Sequence, residues 1–167
     1  MKLLVAAGLA GQMVSVLRQE LDSMVRAIYL LTQKPERRKL LIGALLRGEL
    51  WTRDGTRGRV TDKEMVDLAQ ELQFWAQSVY KFGCAFIHLS RLHDYNDSDP
   101  LLQLPVDERE DILRHCRHYH GGPAQGAEKF EDLIPYLPVV LEKISGNLEC
   151  YLEQLEAGEF QQASEVW

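Results

Sequence analysis

Three of the five histidines of this 167-residue chain fall within six positions, in Arg114-His115-Cys116-Arg117-His118-Tyr119-His120, followed by Gly121-Gly122. Imidazole titrates near neutrality and serves as general acid or base. A guanidinium clamps phosphate bidentately and stabilises the charge that develops on a phosphorane. RNA hydrolysis through its own 2′-hydroxyl asks for little more. Arg114 with His120 supplies that minimum without a metal, and Arg117 and His118 are candidates to assist by holding the substrate.

The same cluster offers a second chemistry and a bland alternative. Cys116 and His120 are four apart and His115 and His118 three apart, so each pair could hold one edge of a metal. Four ligands must converge, however, and no second Cys/His pair joins them. His88 and His93 stand five residues apart, and the chain has no Glu-x-x-His. We therefore expect no metal and no cofactor. In the bland alternative, cationic side chains in a last helical turn simply offset the helix macrodipole. Glu110 then pairs with Arg114 on the surface, His115 and His118 are solvated, and Cys116 belongs to the core. No Gly-rich phosphate loop and no GxSxG occurs, and Ser90 and Ser98 lack a base partner in sequence.

The elements that position this cluster read as helices throughout. Val14, Leu17, Leu21, Met24, Val25 and Ile28 keep one apolar face of a first helix from about Leu9 to Gln33, which Pro35 ends. A second starts near Glu36, carries Leu40, Leu41, Ala44 and Leu45, and stops around Trp51. Thr52–Arg59 reads as a loop on its Asp-Gly and second Gly. Thr61 and Glu64 form a capping box. The longest helix opens there and continues to about His93, with Met65, Leu68, Ala69, Leu72, Trp75, Ala76, Val79 and Phe82 at helical spacing. Gly83 inside it points to close packing. Asp94–Pro100 is a polar loop. Pro105 and Asp107 start the helix that carries the cluster, and Gly121-Gly122-Pro123 stops it. A last helix spans roughly Phe130–Leu155, kinked by Pro135 and Pro138 or beginning after Pro135, with Ile144, Leu148, Tyr151, Leu152 and Leu155 inward. No strand pattern, repeat or low-complexity tract appears. The expected fold is all-α: a single domain over residues 1–167, a mainly up-and-down bundle of four to five helices.

Composition sets the frame. Hydrophobic residues make up 46 % and charged residues 26 %, ordinary for a folded protein. Cys84, Cys116 and Cys150 are odd in number and lack CxxC spacing, which predicts a reducing, cytoplasmic compartment. Leu3–Ala10 is apolar, but Gln12 interrupts it and the amphipathic pattern runs on, so we read a helix start rather than a targeting segment. No run reaches the ~18 apolar residues of a membrane span. Net charge is −6, unevenly spread: nine Lys or Arg against four acids over 34–63, and five against thirteen over 107–167. Nonspecific coating of long nucleic acid usually needs a basic protein, so any RNA contact is confined to a local site.

Arg114-x5-His120 followed by Gly, on a late helix of a helical protein, resembles the motif of HEPN domains. His115 matches the polar residue that usually follows the Arg, and the stretch Glu71-Leu72-Gln73-Phe74-Trp75 through Tyr80 and Phe82 is similar to the long helix of some members. Members neutralised by a nucleotidyltransferase antitoxin carry a Tyr two residues after the His; Gly122 stands there in this chain. The resemblance implies a metal-independent endoribonuclease, a toxin or defence effector. Its catalytic residues would be Arg114, His120 and His115, in a composite cleft formed by a homodimer whose two-fold axis lies near the motif. Some members have lost catalysis and serve as binding modules. The second expectation is accordingly a non-enzymatic helical interaction protein, an antitoxin, immunity or assembly subunit with a protein partner.

Overall fold

The structure is a computed structural model that describes residues 1–87 and 97–160, leaving aside the side chains of 85–87. Every regular element among these residues is helical, and an isolated antiparallel bridge, Thr52 to Arg59, closes the loop that contains Asp54-Gly55. The all-α expectation holds. In chain order the elements are α1 (Lys2–Ala6), α2 (Ala10–Leu31), α3 (Pro35–Leu46), α4 (Asp62–Leu72), α5 (Ala76–Ile87), α6 (Val106–His120), α7 (Phe130–Leu133), a 3-10 turn (Ile134–Tyr136) and α8 (Leu137–Glu156). They group into two compact units. The first comprises residues 1–21 and 77–145, the second 22–76 and 146–167, so α2 and α8 contribute to both.

In the first unit, Met13, Leu17, Leu101, Leu113, Phe130 and Ile144 are buried. Arg18 is buried with them. Its guanidinium lies 4.1 Å from the centre of the Tyr80 ring and its Nε donates to Cys84 Sγ at 3.4 Å. A Cβ on Gly83 would stand 2.9 Å from Arg18 Cβ, so this glycine provides the close packing expected of it. Asp99 accepts from the backbone N–H groups of Leu101 and of Phe130, both at 2.9 Å, and thereby ties the turn before α6 to the start of α7. Proline removes a helical donor, and Pro135 accordingly sits in the 3-10 turn while α8 begins after it.

In the second unit, Met24, Ile28, Leu31, Leu41, Met65 and Trp75 are buried. The last carbonyls of a helix lack intrahelical donors; here Arg38, itself buried, donates to those of Leu30 and Leu31 at 3.0 and 3.3 Å. Trp51 stacks on Tyr29 with ring centres 5.7 Å apart and donates to the Leu41 carbonyl at 2.8 Å. The capping box forms: Glu64 N–H donates to Thr61 Oγ1 at 3.3 Å and Thr61 N–H to Glu64 Oε2 at 2.8 Å. Arg53 Nε donates to Glu64 at 2.7 Å, and these bonds, Arg53 foremost, lower the Glu64 carboxyl to about 2.

Three expectations need correction. The helix opened by Thr61 is not continuous: it breaks at Gln73, whose φ of −129° and ψ of 78° leave the helical region. Gln73 donates to Tyr151 Oη at 2.8 Å and accepts from Asn147 at 3.1 Å, and α5 restarts beyond the buried Trp75. Its expected end at His93, with His88 and Ser90, lies outside the described residues. The second helix ends at Leu46 rather than Trp51, because Gly48 takes a φ of 72° and turns the chain. Leu152, read as inward, is exposed, as are Leu40 and Leu45 of α3.

Candidate functional site

The whole histidine cluster lies on α6 of the first unit, and its stop is well built. Asp107 and Glu108 stand in the first turn, Arg117, His118 and His120 in the last, each sign at the end of the macrodipole that favours it. Gly121 takes a φ of 77° and Gly122 N–H reaches back to the Cys116 carbonyl at 3.5 Å. The Tyr136 ring packs on Gly122 so closely that a Cβ there would be 2.1 Å from Tyr136 Cζ.

Arg114 and His120 are six residues apart, which on a helix is about 9 Å of rise and about 120° of rotation. They therefore point to different sides of α6. Arg114 is exposed and its guanidinium is paired with Asp111, not with Glu110. His120 is half-buried, four residues after buried Cys116 and seven after buried Leu113. Burial, and to a lesser degree the charge of Lys143, lowers its pKa below the usual histidine value.

The other members of the cluster divide in the same way. His115 is partly buried with Nδ1 3.0 Å from Ser78 Oγ of α5, a partner that spacing along the chain did not reveal. Desolvation and then Arg114 lower its pKa, with Asp111 opposing. His118 is exposed and meets the Tyr119 ring edge-on at 4.5 Å. Arg117 is committed to the backbone: its Nε donates to the Pro123 carbonyl at 3.0 Å and its Nη2 to Ala127 and Ala124 at 3.3 and 3.4 Å. Burial raises the Cys116 thiol to about 11, so the thiolate a metal needs is disfavoured. Among the described residues no three His, Cys, Asp or Glu side chains come together as a metal would require.

Beside Arg114 and Arg117 lies an open depression of about 660 Å³. Its walls include Asp107, Glu110, Asp111 and Glu128, which outnumber the arginines, and none of the three histidines of the cluster lines it. An anion gains little from such a surface.

α3 of the second unit presents the opposite case. Leu40 is 65 % exposed, Leu46 82 %, and Leu50 just beyond the helix 64 %, while Leu41 is buried. Apolar residues therefore occur on both the inward and outward sides of this helix. The signal was present in the run Leu40-Leu41-Ile42-Gly43-Ala44-Leu45-Leu46, which has no polar face of its own. Among the described residues, no helix is long and apolar enough to cross a membrane. Compared with protein-family models, curated proteins and solved structures, the chain matches none of them.

Proposed function

We propose that this chain is a non-enzymatic helical interaction protein, of the antitoxin, immunity or assembly-subunit kind, acting in the cytoplasm. The observation that carries this reading is the exposure of Leu40, Leu46 and Leu50 on and just after α3. Several large apolar side chains left in water along one short segment are a feature of surfaces that a partner covers. The state of α6 supports it too: Arg117 holds carbonyls, Arg114 holds Asp111, and His120 faces another side of the helix. The free thiols of Cys84, Cys116 and Cys150 fit a reducing compartment.

The test separates this reading from a ribonuclease. Gel filtration of undiluted host extract should find the wild-type chain in an assembly above its own 19.2 kDa, and Leu46→Glu should return it toward that mass. A wild-type chain running at its own mass, or an assembly indifferent to Leu46→Glu, overturns the proposal.

A second reading, the HEPN-like endoribonuclease, draws on one observation: burial lowers the pKa of both His115 and His120, which favours the neutral imidazole that a general base needs. Since Arg114 and His120 diverge within one chain, that chemistry needs a second copy to complete the site. Purified protein that cleaves single-stranded RNA, and loses the activity in Arg114→Ala and His120→Ala, would establish it; RNA that stays intact removes it.

A further inference from the structure

Ser78 of α5 and His115 of α6 both belong to the first unit, and neither functional reading uses the contact between them. Ser78 Oγ stands 3.0 Å from His115 Nδ1, the separation of a nucleophile from its base. Two other serines of the unit make a useful contrast. Ser15 Oγ donates to the Gly11 carbonyl at 3.0 Å, and Ser145 Oγ to Glu20 Oε1 at 2.8 Å. All three serines are partly exposed, so a small reagent meets them on similar terms. Their acceptors differ: a carbonyl or a carboxylate takes up a proton poorly at neutral pH, and imidazole takes one up well.

The backbone adds a second feature. Because the helix opened by Thr61 breaks at Gln73, Ser78 is the third residue of a new helix rather than a residue in mid-helix. First-turn N–H groups lack an acceptor within their own helix and form the positive end of its dipole. The N–H of Ser78 is one of them, on the same residue as the Oγ. Donors so placed stabilise an oxyanion that forms when the hydroxyl attacks a carbonyl.

We infer that Ser78 and His115 form a nucleophile–base pair that takes up the acyl group of an activated ester or thioester. The Ser78 hydroxyl donates to Nδ1 of the neutral ring. Oγ attacks the acyl carbon, a new C–O bond forms, and the hydroxyl proton passes to Nδ1. The oxyanion then collapses, the bond to the leaving oxygen or sulfur breaks, and His115 returns the proton to the leaving group. The products are acyl-Ser78 and a free alcohol or thiol, with no oxidant or reductant consumed. Burial first, then the charge of Arg114, favours the unprotonated ring this step needs, with Asp111 opposing. The inference goes beyond the interaction reading and does not rest on it: one acyl group per chain is a modification and requires no turnover.

Site-resolved mass spectrometry of the purified full chain, after exposure to p-nitrophenyl acetate, tests the pair. Ser78 should be acetylated about 100-fold faster than Ser15 and Ser145, the scale of a general base's contribution. Ser78→Ala should remove that adduct. His115→Gln keeps a side chain able to hydrogen-bond Ser78 but removes the base, so acetylation of Ser78 should slow by about 100-fold. The circular dichroism melt of His115→Gln should stay near that of the wild type. Ser78 acetylated no faster than Ser15 and Ser145 overturns the inference, and this comparison within the wild type needs no variant to fold. Equal acetylation of Ser78 in His115→Gln overturns it too, leaving the contact as a hydrogen bond of the fold. Release of p-nitrophenol that depends on Ser78 and continues past one equivalent supports the pair and overturns the non-enzymatic reading.

Discussion

α6 and α3 invert the usual relation between how a helix reads and what its side chains are free to do. α6 is dense with Arg and His, yet Arg117 holds the carbonyls of Pro123, Ala124 and Ala127, Arg114 holds Asp111, and His115 meets Ser78. α3 is dense with leucine, and much of that leucine faces water. Residue type states what chemistry a group can do; the partners it already has state whether it is available. On that measure the polar side chains of α6 are largely committed to the fold, while the leucines of α3 are left available.

The largest effect that could break this comparison comes from Gly122→Ala. Its Cβ would collide with the Tyr136 ring, and overpacking of this kind costs about 1–3 kcal/mol. A thermal melt should show the loss. An unshifted melting temperature would mean that the stop of α6 is not structural. Next is Arg117→Ala, which removes three hydrogen bonds from a charged donor and should cost about 2 kcal/mol in denaturant titration. Arg114→Ala serves as its control. The Arg114–Asp111 pair is exposed, so about 0.5 kcal/mol or less should be lost. Equal effects of the two arginines would dissolve the distinction between a clamp and a surface pair.

Acid sharpens the account of the histidines. His115 and His120 have folded pKa values below those of the unfolded chain, so the unfolded state binds protons first. Their contribution to stability is full above the ordinary histidine value and is lost as pH falls through it toward the lowered folded values. His120→Asn should flatten part of the decline in stability below about pH 6.5. A slope identical to the wild type would show that His120 is already solvated. The smallest expected change in fold stability belongs to Leu46→Ser, within about 0.5 kcal/mol, because the side chain is outside the core. Gel filtration should nevertheless show its association weakened.

Much of the fold was legible in the sequence where local signals act alone. The apolar stripe of α2, the Thr61–Glu64 capping box, and the Gly121-Gly122-Pro123 stop are each set by a few neighbouring residues. The break at Gln73 was not, because Tyr151 and Asn147, more than seventy residues away, compete for its side chain. Nor was the exposure of the α3 leucines legible from their spacing: periodicity identifies an apolar face without saying what covers it. The divergence of Arg114 and His120 was legible after all, since a spacing of six on a helix places two side chains about 120° apart. What the spacing could not give was the fate of Arg117, whose acceptors lie in the loop beyond the cis Gly122–Pro123 bond.

The measurement that bears most directly on the contrast is site-specific photo-crosslinking in the host cell, with the reactive side chain placed once at Leu46 on α3 and once at His118 on α6, both exposed positions. Crosslinked protein adducts from Leu46, lost when Leu40→Glu is added, with only background from His118, are the predicted result. Adducts to RNA or protein from His118, with Leu46 silent, would contradict the account and return function to the histidine cluster.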